Sequence, residues 1–139
     1  MIVGIGVDVV NIPMFDATIH RAPGFAEMLF TAKERIDEGG GPRSSTSLAA
    51  RYAAKQALAK ALGVPSGLRW HDCEVMSEPD GRPYLSLRGG VLAAARDLGA
   101  RSWHLSLATE ADVAVAYVIA EGIVSLEGVE TPRAIRESA

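Results

Sequence analysis

The stretch SLAARYAAKQALAKALG, residues 47–63, constrains the fold more than any other part of the chain. At 3.6 residues per turn, Ala50, Ala54, Ala57, Leu58, Ala61 and Leu62 fall on one arc. Tyr52, Lys55, Gln56 and Lys60 fall on the other, with Arg51 at the border. An apolar arc built largely of alanine has little bulk to fill a gap, so it buries area only where another surface comes close. The helix is therefore expected to lie tightly on a sheet. Ser44, Ser45, Thr46 or Ser47 can cap its start, and Gly63 followed by Pro65 ends it.

The strands for that sheet are legible. MIVGIGVDVV is short and rich in Val and Ile, which predicts a buried strand over 2–10 with an acid, Asp8, near its end. SWHLSLA alternates and DVAVAYVIA is nearly all apolar; the short connection TEAD joins them as a strand pair. CEVMSE and YLSLR flank PDGRP, an Asp-Gly turn whose prolines leave the hairpin edges imperfect. Between Pro13 and Asp37 apolar residues recur at helical spacing with a break at Pro23 and Gly24, so two or three short helices are expected. TAKE at 31–34 has the capping-box pattern of a helix start. EGGGPRSST, 38–46, reads as a mobile loop, and GGVLAAARDLG as a helix stopped by Gly99. This order implies an α+β fold with a mostly antiparallel sheet packed on the long helix. Residues 1–122 read as one domain and 123–139 as a polar C-terminal tail with a frayed end.

Composition excludes several functions. With 14 basic and 17 acidic residues the formal charge is -3, so nothing draws the whole surface to nucleic acid or to an anionic membrane, and any anion site must be local. The amino terminus lacks a basic start, and Asp8 interrupts its apolar run long before a bilayer could be spanned; neither a signal peptide nor a membrane anchor is expected. Cys73 alone allows no internal disulfide and no thiolate metal cage, which fits a reducing cytosol and a buried structural thiol. His20, His71 and His104 lack the spacing of a zinc site. GIG at 4–6 is too short for a dinucleotide fingerprint and fits close packing of the strand instead.

The polar arc of the long helix carries three cations and no carboxylate. Two readings follow: a solvated face, or a strip that gathers phosphates, for which Arg offers a fork of donors and Lys a point charge. Asp8 likewise reads either as a cap or partner of a nearby cation, or as a hard oxygen ligand of the kind magnesium uses together with substrate phosphates. Acid and cation strip together point to metal-bound pyrophosphate.

GIGVDVV at 4–10, FTAKE at 30–34, ARYAAKQALAKALG at 50–63, DGRP at 80–83 and WHLSLATEAD at 103–112, in this order, resemble the holo-acyl-carrier-protein synthases, the small trimeric class of phosphopantetheinyl transferases. The resemblance implies that fold and a cytoplasmic homotrimer with active sites between subunits. It also implies magnesium-dependent transfer of the phosphopantetheine arm of coenzyme A to a serine of an apo acyl carrier protein or a carrier domain of a fatty acid synthase. By position, Asp8 and Gln56 would hold the metal, Lys55 and Lys60 would meet the coenzyme A phosphates, Arg51 would assist at the nucleotide phosphates, and Gly63 would also bind the coenzyme. Lys60 would also stabilise or protonate the leaving bisphosphate. Arg82 and Pro83 of a neighbouring subunit would line the nucleotide, and Ser106 to Thr109 would complete the pocket. The chain departs from the family where Gln56 replaces a glutamate, Thr109 a histidine, and Met14 a basic residue that meets the carrier. Gln56 and Thr109 raise the alternative of a catalytically impaired coenzyme A-binding subunit.

Overall fold

The computed structural model describes residues 1–122; the expected tail, 123–139, lies outside them. The chain runs β1 (Ile2–Asn11), α1 (Ile12–Arg21), α2 (Phe25–Leu29), α3 (Ser45–Ala61), a single 3-10 turn (Trp70–Asp72), β2 (Cys73–Ser77), β3 (Pro83–Leu87), α4 (Gly89–Leu98), β4 (Ala100–Glu110) and β5 (Val113–Gly122). Two antiparallel sheets form, one of order β1-β5-β4 and one of β2-β3. The first and last strands of the fold are thus neighbours, with Asp8 opposite Ala116 and Val7 opposite Tyr117.

Alternation along the three long strands decides what α3 meets. Ala114, Ala116, Val118 and Ala120 of β5 are buried beneath the helix, and Trp103, Leu105 and Leu107 of β4 pack against the same core. On β1 the helix-facing positions are Gly4, Gly6, Asp8 and Val10. A Cβ on Gly6 would overlap the carbonyl oxygen of Ala57, and one on Gly4 that of Ala61. Glycine on the strand and alanine on the helix are two halves of one close contact, which the sequence placed in the GIG run.

One expectation is corrected. TAKE starts no helix: residues 32–35 form a turn. Only half of the capping box is made, Thr31 N–H donating to Glu34 Oε1 at 3.0 Å, while the Thr31 hydroxyl donates to Glu74 at 2.7 Å. Glu34 is drawn inward because it is needed under α3. In the loop before α3, Asp37 Oδ1 accepts the amides of Gly39 and Gly41 and Ile36 bridges Pro42, while Ser45 and Thr46 already belong to the helix. The polar arc of α3 is split: Lys60 is exposed and Tyr52 and Gln56 half-buried, whereas Arg51 is only 6% and Lys55 only 3% exposed. The turn at 32–35 and the strand β2 cover that side of the helix.

Candidate functional site

Tyr52, Gln56 and Lys60 are spaced four apart and rise as one row along α3. Period-two alternation aims Asp8 of β1 at that row. Lys60 Nζ lies 2.9 Å from Asp8 Oδ1 and donates to the Val7 carbonyl at 3.1 Å. The carboxylate is nearly buried, its side chain 12% exposed against 51% for the lysine. Its second oxygen, Oδ2, is buried with no hydrogen-bond partner among the described residues. Tyr52 senses the same group: burial pushes its hydroxyl above the usual value, a hydrogen bond with the Gln56 side chain opposes that rise, and Asp8 adds to it. One acid, one amide, one phenol and one ammonium therefore form a cluster where β1 meets α3. Beside it, Gln56 and Tyr52 with Met14, Phe15, Thr18 and Phe25 line a cleft of about 310 Å³ that opens over α1.

An orphaned, buried carboxylate oxygen beside an amide is a donor set suited to a hard cation, since magnesium takes carboxylate and amide oxygens. Asp8 and Gln56 fit a metal ion on these grounds. Gln56 brings no charge, so the cluster holds less negative charge than two acids would give.

Lys55 has another task. Its ammonium donates to Glu34 Oε1 at 2.7 Å, to the Cys73 carbonyl at 2.7 Å and to the Trp70 carbonyl at 2.9 Å. All three protons are used inside the protein. Within the protomer, then, Lys55 faces the interior and not an open phosphate site: its charge is neutralised by Glu34, whose Oε2 in turn accepts the Val75 amide at 3.0 Å. Glu34 went unnoticed in the sequence because the capping-box pattern supplied a local explanation for it. Cys73, on the same strand, is buried, and burial pushes its thiol up to about 12.

Arg51 is buried too, yet no carboxylate lies within salt-bridge distance of it among the described residues. Its Nη1 donates to the Ser47 hydroxyl at 2.7 Å and its Nη2 to that of Ser77 at 3.1 Å, leaving Nε unpartnered. Burial, with Arg43 adding to it, lowers its pKa to about 10. Arg43, missed in the sequence, also donates to Ser47, at 3.2 Å. Ser44, Thr46 and Ser47 at the start of α3 share a cleft of about 310 Å³ with Thr109. Neither arginine lines that cleft: both reach Ser47 from behind it, and Arg43 is already paired with Glu38 at 3.8 Å and donates to the Glu34 and Ile36 carbonyls at 2.7 Å.

The remaining candidates lie apart from Asp8. Gly63, at φ 81°, closes α3 three residues after Lys60 and donates to its carbonyl at 3.0 Å. Arg82 and Pro83 sit at the tip of the β2-β3 hairpin. Ser106 pairs with Tyr117 on the sheet face turned away from α3. No hydrogen bond or cavity described above joins these last three to the Asp8 cluster within one protomer.

Residues 4–118 match the model of the 4'-phosphopantetheinyl transferase superfamily. The chain is 54% identical over 121 residues to the holo-[acyl-carrier-protein] synthase of Salinispora arenicola, covering 87% of this chain and 99% of that one. It resembles the ACPS-CoA complex of Chronobacterium ammoniagenes, at a TM-score of 0.76 and 28% identity over 87% of this chain and 98% of that one. A Mycobacterium tuberculosis acyl carrier protein synthase superposes at a TM-score of 0.65 with 34% identity, over 88% of this chain and 100% of that one.

Proposed function

The chain belongs to the 4'-phosphopantetheinyl transferase superfamily, and from that premise we propose that it is a holo-acyl-carrier-protein synthase. It moves the phosphopantetheine arm of coenzyme A to a serine of an apo acyl carrier protein or carrier domain. The observation that carries this reading is the Asp8 carboxylate, one oxygen held by Lys60 and the other buried without a partner among the described residues, beside the helix row that carries Gln56, in a chain half identical to proteins named for that activity.

Phosphoryl transfer asks a protein mainly for charge neutralisation and positioning. Asp8 and Gln56 would hold the magnesium ion, which supplies positive charge to the pyrophosphate. Lys60, the half-exposed cation of the cluster, stabilises the departing bisphosphate. Arg51, which has no carboxylate partner among the described residues and reaches Ser47 behind the cleft that Thr109 lines, is the reserve of positive charge for the nucleotide's other phosphate. An amide at 56 accepts no proton, so the proton of the acceptor hydroxyl leaves through solvent beside Asp8. The cleft over α1 ends at Gln56 and is where the acceptor would approach. We further assign the protein to the cytoplasm and to a homotrimer, in which Arg82, Pro83 and Ser106 of one subunit reach the nucleotide of its neighbour. Supporting these are a single buried thiol that needs no oxidising compartment and an apolar outer sheet face, with Ile5, Val7, Val9 and Tyr117 exposed.

Gln56 favours a second reading, a coenzyme A-binding subunit with little turnover. Intact-mass measurement of an apo carrier incubated with the protein, coenzyme A and magnesium, with a chelator control, separates the two. A magnesium-dependent gain of one phosphopantetheine is expected; coenzyme A binding without any gain would select the second reading. Under the first reading Gln56→Glu restores a charged ligand, tightens magnesium and raises the rate.

A further inference from the structure

We propose that Lys60 is an internal substitute for the divalent cation: in the ligand-free protein its ammonium occupies Asp8, and a divalent ion gains that carboxylate only as Lys60 moves to the phosphates of a bound nucleotide. This rests on the reading of Asp8 and Gln56 as the cation site.

The geometry of the pair is that of a latch. Lys60 Nζ sits between two oxygens, Asp8 Oδ1 at 2.9 Å and the Val7 carbonyl at 3.1 Å. The carboxylate end is fixed, on a strand whose neighbours Gly6 and Val10 are packed under α3. The ammonium end is half in solvent, on a flexible four-carbon stem. Lys60 also satisfies only half of its partner, leaving Asp8 Oδ2 buried and unpaired. A ligand able to reach both oxygens would relieve that cost.

Charge makes the two occupants exclude each other. With an amide at 56, Asp8 is the only carboxylate in the cluster, so a divalent ion added beside Lys60 would leave three positive charges facing one negative. At contact distances this repulsion is strong even in a solvent-rich setting. A nucleotide bisphosphate removes the conflict by giving Lys60 another anion. Cation and nucleotide must then raise each other's affinity by the same factor, because binding linkage is reciprocal.

Calorimetric titration of magnesium into the full chain, alone and with adenosine 3',5'-bisphosphate, tests this without turnover. Lys60→Gln should bind magnesium about tenfold more tightly than wild type in the absence of nucleotide. It should also lose most of the tightening that nucleotide gives the wild type. A mere packing defect would move affinity the other way. Lys60→Met, which keeps most of the stem, gives the same comparison should the glutamine variant fold poorly. If magnesium binds either variant no more tightly than wild type, the latch is overturned. Asp8→Asn is the control for the premise: it should lose magnesium binding, and if it binds magnesium as wild type does, the assignment of the cation site itself fails and the latch falls with it.

Discussion

Lys55 and Lys60 stand five residues apart on α3, one sealed by three internal acceptors and the other half in solvent with a carboxylate it can leave. The sealed pair of Lys55 and Glu34 is fully hydrogen-bonded, which is what lets a buried ion pair persist at all. Removing one member is the costly change. Lys55→Met strands Glu34 inside the protein and should lower stability by about 3–5 kcal/mol in urea denaturation, whereas the double variant Lys55→Met with Glu34→Leu should recover much of it. An unshifted midpoint in the single variant would show that the pair carries no stability. Cys73, against the same network, adds a pH dependence. Its thiol has an ordinary value of 9.0 and is pushed up to about 12 by burial, so between those values the unfolded chain gives up a proton that the folded one keeps. The cysteine's contribution is therefore fully present below pH 9 and is lost as pH rises toward 12. Denaturation midpoints measured across that window should fall less steeply for Cys73→Ala than for the wild type.

The contact between β1 and α3 sets the position of the whole Asp8 cluster. Gly6→Ala puts a methyl where the Ala57 carbonyl oxygen already lies, and neither partner is a flexible side chain. Strand and helix must part, so the variant should melt at least several degrees lower and bind magnesium more weakly, since Asp8 is two residues along the same strand. A variant with unchanged melting and unchanged magnesium affinity would mean that the contact does not position the site. Much of this element was legible. Strand β1 ends one residue later than expected, and α3 keeps its Ser44 cap, the hydroxyl accepting the Ser47 amide at 3.2 Å. What could not be read is what covers the other side of α3. A helical wheel reports which residues share an arc, but burial of Lys55 and Arg51 depends on Glu34 and Ser77, 21 and 26 residues away. The pairing of β1 with β5, the longest-range contact between the described strands, is equally invisible to local periodicity. Asp8, Gln56 and Lys60 were legible as a set because strand alternation and helix spacing are local rules, and both aim them at one place.

At the scale of the whole molecule the open question is the sheet face that α3 does not cover. Ile5, Val7 and Val9 of β1 lie beside Ile119, Tyr117 and Val115 of β5, and four of these six are at least 44% exposed. An apolar face of this kind, two strands wide, is what an obligate interface hides. The same face carries Ser106, opposite Tyr117 on β4, so burying it against a second copy would bring that serine to a subunit boundary. Light scattering should give three times the 14.7 kDa of the chain. Tyr117→Glu places a charge mid-strand on the central strand with its side chain outside the protomer's core, and should yield folded monomers by circular dichroism. Because the proposed sites draw Arg82, Pro83 and Ser106 from the neighbouring subunit, those monomers should lose carrier modification far more than they lose stability. A monomeric wild type would remove those three residues from the site, whereas a variant that stays trimeric would move the interface to another face.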